Sequence, residues 1–133
     1  MRIKTEQNEI NENIVTSREY DKSNIFAKII KGEIKAEIVY EDDLVVAFKD
    51  IAPVAPVHII VIPKGEYSDF SDFISKASSI DVALYFQKIH AIARSLNVSD
   101  YRIISNCGKL SGQTIFHFHT HIISGKKINN LIG

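Results

Sequence analysis

The chain has a single cysteine, Cys107, in 133 residues, so no disulfide can form within it and a thiolate zinc site lacks ligands. A reducing compartment, the cytoplasm, is the expectation. Charge excess is missing too: 16 Lys plus Arg stand against 16 Asp plus Glu, whereas proteins that coat nucleic acid carry a basic surplus. No nucleic-acid partner is expected. Long apolar runs are also absent. The run Ile59 to Pro63 falls far below the ~20 residues that cross a bilayer, and the polar start of the chain lacks the apolar segment of a signal peptide. No membrane partner is expected. What is present, 45% hydrophobic residues in a chain of this length, suits one globular domain with a real core.

Residues 1–22 carry mixed charges without an apolar period and read as a polar N-terminal extension; residues 23–133 read as the single domain. Ile25, Phe26, Ile29 and Ile30 recur at three- and four-residue spacing. Ser23 or Asn24 is placed to cap that short helix and Gly32 to stop it. Glu37 to Tyr40 and Leu44 to Phe48, separated by Glu41-Asp42-Asp43, predict a hairpin. Val57 to Ile62, apolar on both faces and ended by Pro63, predicts a central strand. Ser79 to Asn97 predicts the long helix, with Tyr85, Ile89, Ile92 and Leu96 on one stripe and Ser78 with Asp81 as its capping box. Tyr101 to Ser105 and Ile115 to Ile123 predict two further strands. The order implies an α+β fold, a mainly antiparallel sheet packed by one long and one short helix.

Three of the five histidines, His117, His119 and His121, lie within five residues. On a strand they would share one face, about 6 to 7 Å apart, with Phe116, Phe118 and Ile122 opposite. Such a row can hold a metal, supply a nucleophile with helpers, or sit as polar residues on a wet sheet face. Residues 101–133 contain Arg102, Lys109, Lys126 and Lys127 but no Asp or Glu, which removes local carboxylates that would support a metal and points to an anionic guest. The adjoining Gly108 to Thr114 loop offers glycines that let backbone N–H groups approach a phosphate. A neutral imidazole can attack phosphorus and split one displacement into two.

The run Ser111-Gly112-Gln113-Thr114-Ile115-Phe116-His117-Phe118-His119-Thr120-His121-Ile122-Ile123 resembles the signature of the histidine triad (HIT) superfamily. Phe26 to Gly32, Tyr40 to Asp43, Ala47 to Pro53 and Ala55 to Lys64 resemble its Hint-like branch, the purine nucleoside phosphoramidase type. The resemblance implies a five-stranded antiparallel sheet, a homodimer, and hydrolysis or transfer at the α-phosphate of a purine nucleotide without a cofactor. By matching position His119 would be the nucleophile, His117 and His121 would flank it, and His58 would complete the histidine network. Asp50 would hold the ribose hydroxyls, and Phe26, Ile29, Phe48 and Ile51 would wall the base pocket. Asn106, Gly112, Gln113 and Thr114 would surround the phosphate and leaving group. The Cys-X-X-Cys zinc site of many bacterial relatives is replaced by Asn24 and Ala27, so no metal is expected. The alternatives are a dinucleoside polyphosphate hydrolase and a nucleotide-binding interaction protein.

Overall fold

The computed structural model describes residues 19–127. Most of the polar extension and the tail from Ile128 lie outside the described residues. Helix α1 (Ile25–Ile30) starts where the Asn24 side chain accepts the Ala27 N–H at 2.9 Å, and it is followed by Gly32 at φ +78°. Strands β1 (Ile38–Glu41) and β2 (Val45–Lys49) form the expected hairpin. Its turn is closed by Asp42, whose Oδ1 accepts the N–H groups of Leu44 and Val45. Then come β3 (Val57–Pro63), α2 (Phe70–Lys76), α3 (Ser79–Ser95), β4 (Arg102–Ile104), a 3₁₀ turn (Lys109–Ser111) and β5 (Thr120–Ser124). The sheet order is β1-β2-β3-β5-β4 and every pairing is antiparallel.

Because β3 is apolar on both faces, the sheet can be covered on both. Val45, Ala47, Ile59, Val61 and Ile122 pack under α2 and α3 with Phe73, Tyr85, Ile89, Ile92 and Phe118. Val46, Phe48, Ile60 and Ile62 pack on the other face with Phe26 and Ile29 of α1. Among the described residues no helix is long and apolar enough to cross a membrane.

Two sequence expectations need correction. A second short helix, α2, stands between β3 and α3; Asp69 caps it by accepting the Asp72 N–H, and Phe73 is its one buried residue. One buried ring in seven residues gives no period to read. The strand expected over 115–123 begins only at Thr120. Residues 117 and 118 instead meet the end of β3 and the segment after it: the His117 ring bonds the Pro63 carbonyl, and the Phe118 N–H donates to the Tyr67 carbonyl at 2.7 Å. Phe118 and Ile122 still enter the core beneath α3, while Phe116 stays half-buried outside it.

Candidate active site

Register places the histidines. His58 opposes Ile123 and Ile60 opposes His121, so His58 and His121 are diagonal neighbours on the face of Ile60, the face that α1 covers. The Val54 N–H donates to His58 Nδ1 at 3.1 Å, which leaves the proton of a neutral His58 on Nε2. That proton meets His121 Nδ1 at 2.9 Å, with Asp50 Oδ2 at 3.2 Å beside it. His121 therefore carries its own proton on Nε2.

Backbone carbonyls set the other two rings. His119 Nδ1 lies 2.7 Å from the His117 carbonyl, which can only accept, so Nδ1 is protonated and Nε2 holds the lone pair. His117 Nε2 donates to the Pro63 carbonyl at 2.7 Å, and its Nδ1 takes a hydrogen bond from the Tyr20 hydroxyl at 2.5 Å. The rings of His119 and His121 meet edge-on with centroids 5.1 Å apart, and His119 stands just before the first residue of β5. Phe26 packs edge-on against His119 at 4.9 Å.

A cleft of about 410 Å³ opens beside these rings. It brings together Phe26, Ile29, Phe48, Asp50, Ile51, Asn106, Gly112, Thr114, His119 and His121 of the expected set. Ile51 stands on its rim, 94% exposed. His58 supports the cleft from behind through His121, and His117 is fully buried away from it. Gln113 is also buried and does not line the cleft. Its carboxamide donates to the Ser68 and Ile115 carbonyls and accepts the Gly108 N–H, so it ties down the loop rather than facing a guest. Ile25, Ile34, Lys35, Ala36, Lys49, Ile60 and Ile115 complete the wall and were not expected. Of these, Ile25 and Ile60 carried a sequence signal, as members of α1 and of the two-faced strand.

The glycine loop behaves differently from the expectation. The N–H groups of Gly108, Ser111, Gly112 and Gln113 are spent on acceptors inside the loop, and Gly108 and Gly112 are needed for their φ of +93° and +101°. Side chains, Asn106 and Thr114, are what the loop offers the cleft. The basic excess of 101–133 does not reach it either. Arg102 lies on the edge strand and Lys109 on the exposed turn, while the cations that do line the cleft are Lys35 and Lys49, the latter paired with Glu37 at 2.6 Å.

The HIT domain family model matches residues 31–128. The chain belongs to the HIT family. An uncharacterized HIT-like protein of Rickettsia prowazekii is 60% identical over 115 residues, covering 85% of this chain and 96% of the relative. Two solved structures share the HIT fold. A histidine triad protein from Clostridium difficile has a TM-score of 0.77 at 42% identity, covering 84% of this chain and 98% of its own. A HIT family hydrolase from Clostridium thermocellum has a TM-score of 0.73 at 34% identity, covering 84% and 98%.

Burial sets the electrostatics of the HIT histidines. It pushes His117 and His121 down to about 4, with neighbouring imidazoles adding to the effect, and it also lowers His119, partly opposed by the His117 carbonyl and by Asp50. All three are neutral near pH 7. Asp50, His58 and His121 each offer an atom within 4.8 Å of the others, as a metal site would. They do not fit a resident metal as arranged. Ligation through His58 Nε2 would move its proton to Nδ1, where the Val54 N–H already points.

Proposed function

We propose that this HIT protein is a hydrolase of the Hint-like type, cleaving the P–N bond of purine nucleoside phosphoramidates, AMP- or GMP-linked amines, through a covalent nucleotidyl-His119. One observation carries the reading: a carbonyl fixes the Nδ1–H tautomer of a buried, neutral His119 that lines the cleft, so its Nε2 is a nucleophile in waiting. Phe26, Ile29 and Phe48 supply apolar walls for a base without reading its edge. Asp50 accepts the Ala52 N–H at 2.8 Å and keeps acceptor capacity for ribose hydroxyls.

In this reading the Nε2 lone pair bonds to the α-phosphorus as the P–N bond breaks and its electrons leave with the amine nitrogen. The Nδ1–H, held by the His117 carbonyl, stabilises the imidazolium so formed, and His121 Nε2–H donates to the phosphate oxygens. One water closes the balance. Its proton passes to the amine nitrogen as the P–N bond breaks, the hydroxide left behind then bonds phosphorus, and the electrons of the P–Nε2 bond return to His119. Asn106, Gly112 and Thr114 flank the phosphate and leaving group, with Gln113 holding their loop.

The reading includes a homodimer, supported by the open edge of β4, where Ile103 is 50% exposed, and a cytoplasmic place of work, supported by the single cysteine. Neither nucleic acid nor membrane enters it. Steady-state rates on an AMP-linked primary amine and on a diadenosine polyphosphate test it. The expected kcat/KM is about 100-fold or more higher on the amide, a difference of roughly 3 kcal/mol; a preference for the polyphosphate would make this the dinucleoside hydrolase instead, and binding of AMP without turnover of either would make it an interaction protein.

A further inference from the structure

The residue that completes the histidine network lies outside the domain expected from the sequence. His117 is neutral, fully buried and committed through Nε2–H to the Pro63 carbonyl, so its Nδ1 is a buried lone pair in need of a donor. A buried acceptor without one is destabilising, because it has given up water and gained no partner. The Tyr20 hydroxyl fills that need, and the Tyr20 ring packs edge-on against the imidazole at 5.6 Å. Tyr20 precedes α1 by five residues and does not line the cleft.

We propose that Tyr20 is a positioning residue for the nucleophile: by holding the His117 ring it fixes the His117 backbone, whose carbonyl holds His119 Nδ1–H and so keeps the attacking lone pair on Nε2. The chain of contacts is short and each link is directional. The phenol O–H donates to His117 Nδ1, the same residue's carbonyl accepts from His119 Nδ1–H at 2.7 Å, and His119 Nε2 is left bare. Pro63 anchors the opposite side of the His117 ring, so loss of the phenol leaves it held at one nitrogen alone. The segment ahead of α1 is thereby part of the active site's support.

The proposal rests on His119 being the nucleophile, and its test is chosen to fail separately. Tyr20→Phe keeps the ring contact and removes the hydroxyl, that is the donor to His117 Nδ1 and its contact with the Asn24 side chain. The account expects kcat on an AMP-linked amine to fall about 10- to 100-fold with KM unchanged within about twofold, since a small misplacement of a reacting group has that effect while the cleft wall is untouched. It also expects nitrogen-15 spectra of the histidine rings, recorded without substrate, to show His119 as the Nδ1–H tautomer in the wild type and as a mixture of tautomers in Tyr20→Phe. An unchanged His119 tautomer overturns the proposal, whether kcat holds or falls with a lowered Tm. Should Tyr20→Phe fail to fold, 3-fluorotyrosine at position 20 makes the phenol a stronger donor, and a His117 Nδ1 resonance that does not move overturns the proposal equally. A wild type that turns over no nucleotide amide would sink the phosphoramidase reading and leave this one to be decided by the spectra.

Discussion

The two faces of the sheet solve burial in opposite ways. Beneath α2 and α3, rings interlock: Phe73 stacks on Phe118 at 4.7 Å, Tyr85 lies against both, and its hydroxyl donates to the Val61 carbonyl. Beneath α1 the cover is six residues, about 9 Å of helix, too short to close the face over β5. What α1 leaves open is the cleft, and the histidines at its edge are held by directed hydrogen bonds, His119 by the His117 carbonyl and His121 by the His58 ring. Among the described residues no buried polar side-chain atom lacks a partner. A dry face gains its rigidity from apolar period; a reactive face gains it from fixed tautomers.

The strongest way to break this contrast is at the reactive face. His119→Ala should lower turnover of an AMP-linked amine by on the order of 10⁴-fold or more while leaving Tm within a few degrees, because the proposed role of His119 is chemical rather than structural. Kinetics beside calorimetry check this, and turnover near wild type would refute the assignment. The mirror experiment is Phe73→Ala on the dry face. Removing a fully buried ring should take away about 3–5 kcal/mol in urea denaturation, with kcat of the folded fraction unchanged within about twofold; a selective loss of kcat would mean the faces are not separable as described.

Acid should find the difference as well, with a smaller and graded effect. Unfolded imidazoles bind protons near 6.5, whereas burial holds His117 and His121 near 4 and lowers His119. Between those values the unfolded chain binds more protons, so the stability from the neutral histidines is full above about pH 6.5 and is lost as pH falls toward 4. Tm should decline across that window, and the acid limb of kcat/KM should lie below pH 6.5 because the proposed nucleophile, His119, has to be neutral to attack. A Tm that stays flat to pH 4.5 would show that these rings are not held neutral.

Much of the fold was legible where a single element shows its own period. Tyr85, Ile89 and Ile92 announced α3, the two-faced run from Val57 announced the centre of the sheet, and Asn24 announced the start of α1. Legibility ended where partners are distant in sequence. The strand fails before Thr120 because residues 117 and 118 find Pro63 and Tyr67, some fifty residues away, and no local pattern records that. The glycine loop turns its amides inward because Gln113 reaches Ser68 and Gly108. The site's histidines and Asp50 were legible through the family resemblance, yet which nitrogen of each ring bears the proton depends on carbonyls and amides that only the folded backbone brings up. Tyr20, in a segment that reads as polar extension, carried no signal of its role.

Mass spectrometry of the intact protein reads out whether His119 becomes nucleotidylated. Wild type is mixed with an adenosine phosphoramidate, quenched in base, which spares a phosphorus–histidine bond, and weighed beside His119→Ala treated alike. A covalent nucleotidyl-His119 gives an added mass of one adenylate on the wild type, mapping to His119 and missing from the variant; an adduct that persists in His119→Ala would rule that intermediate out.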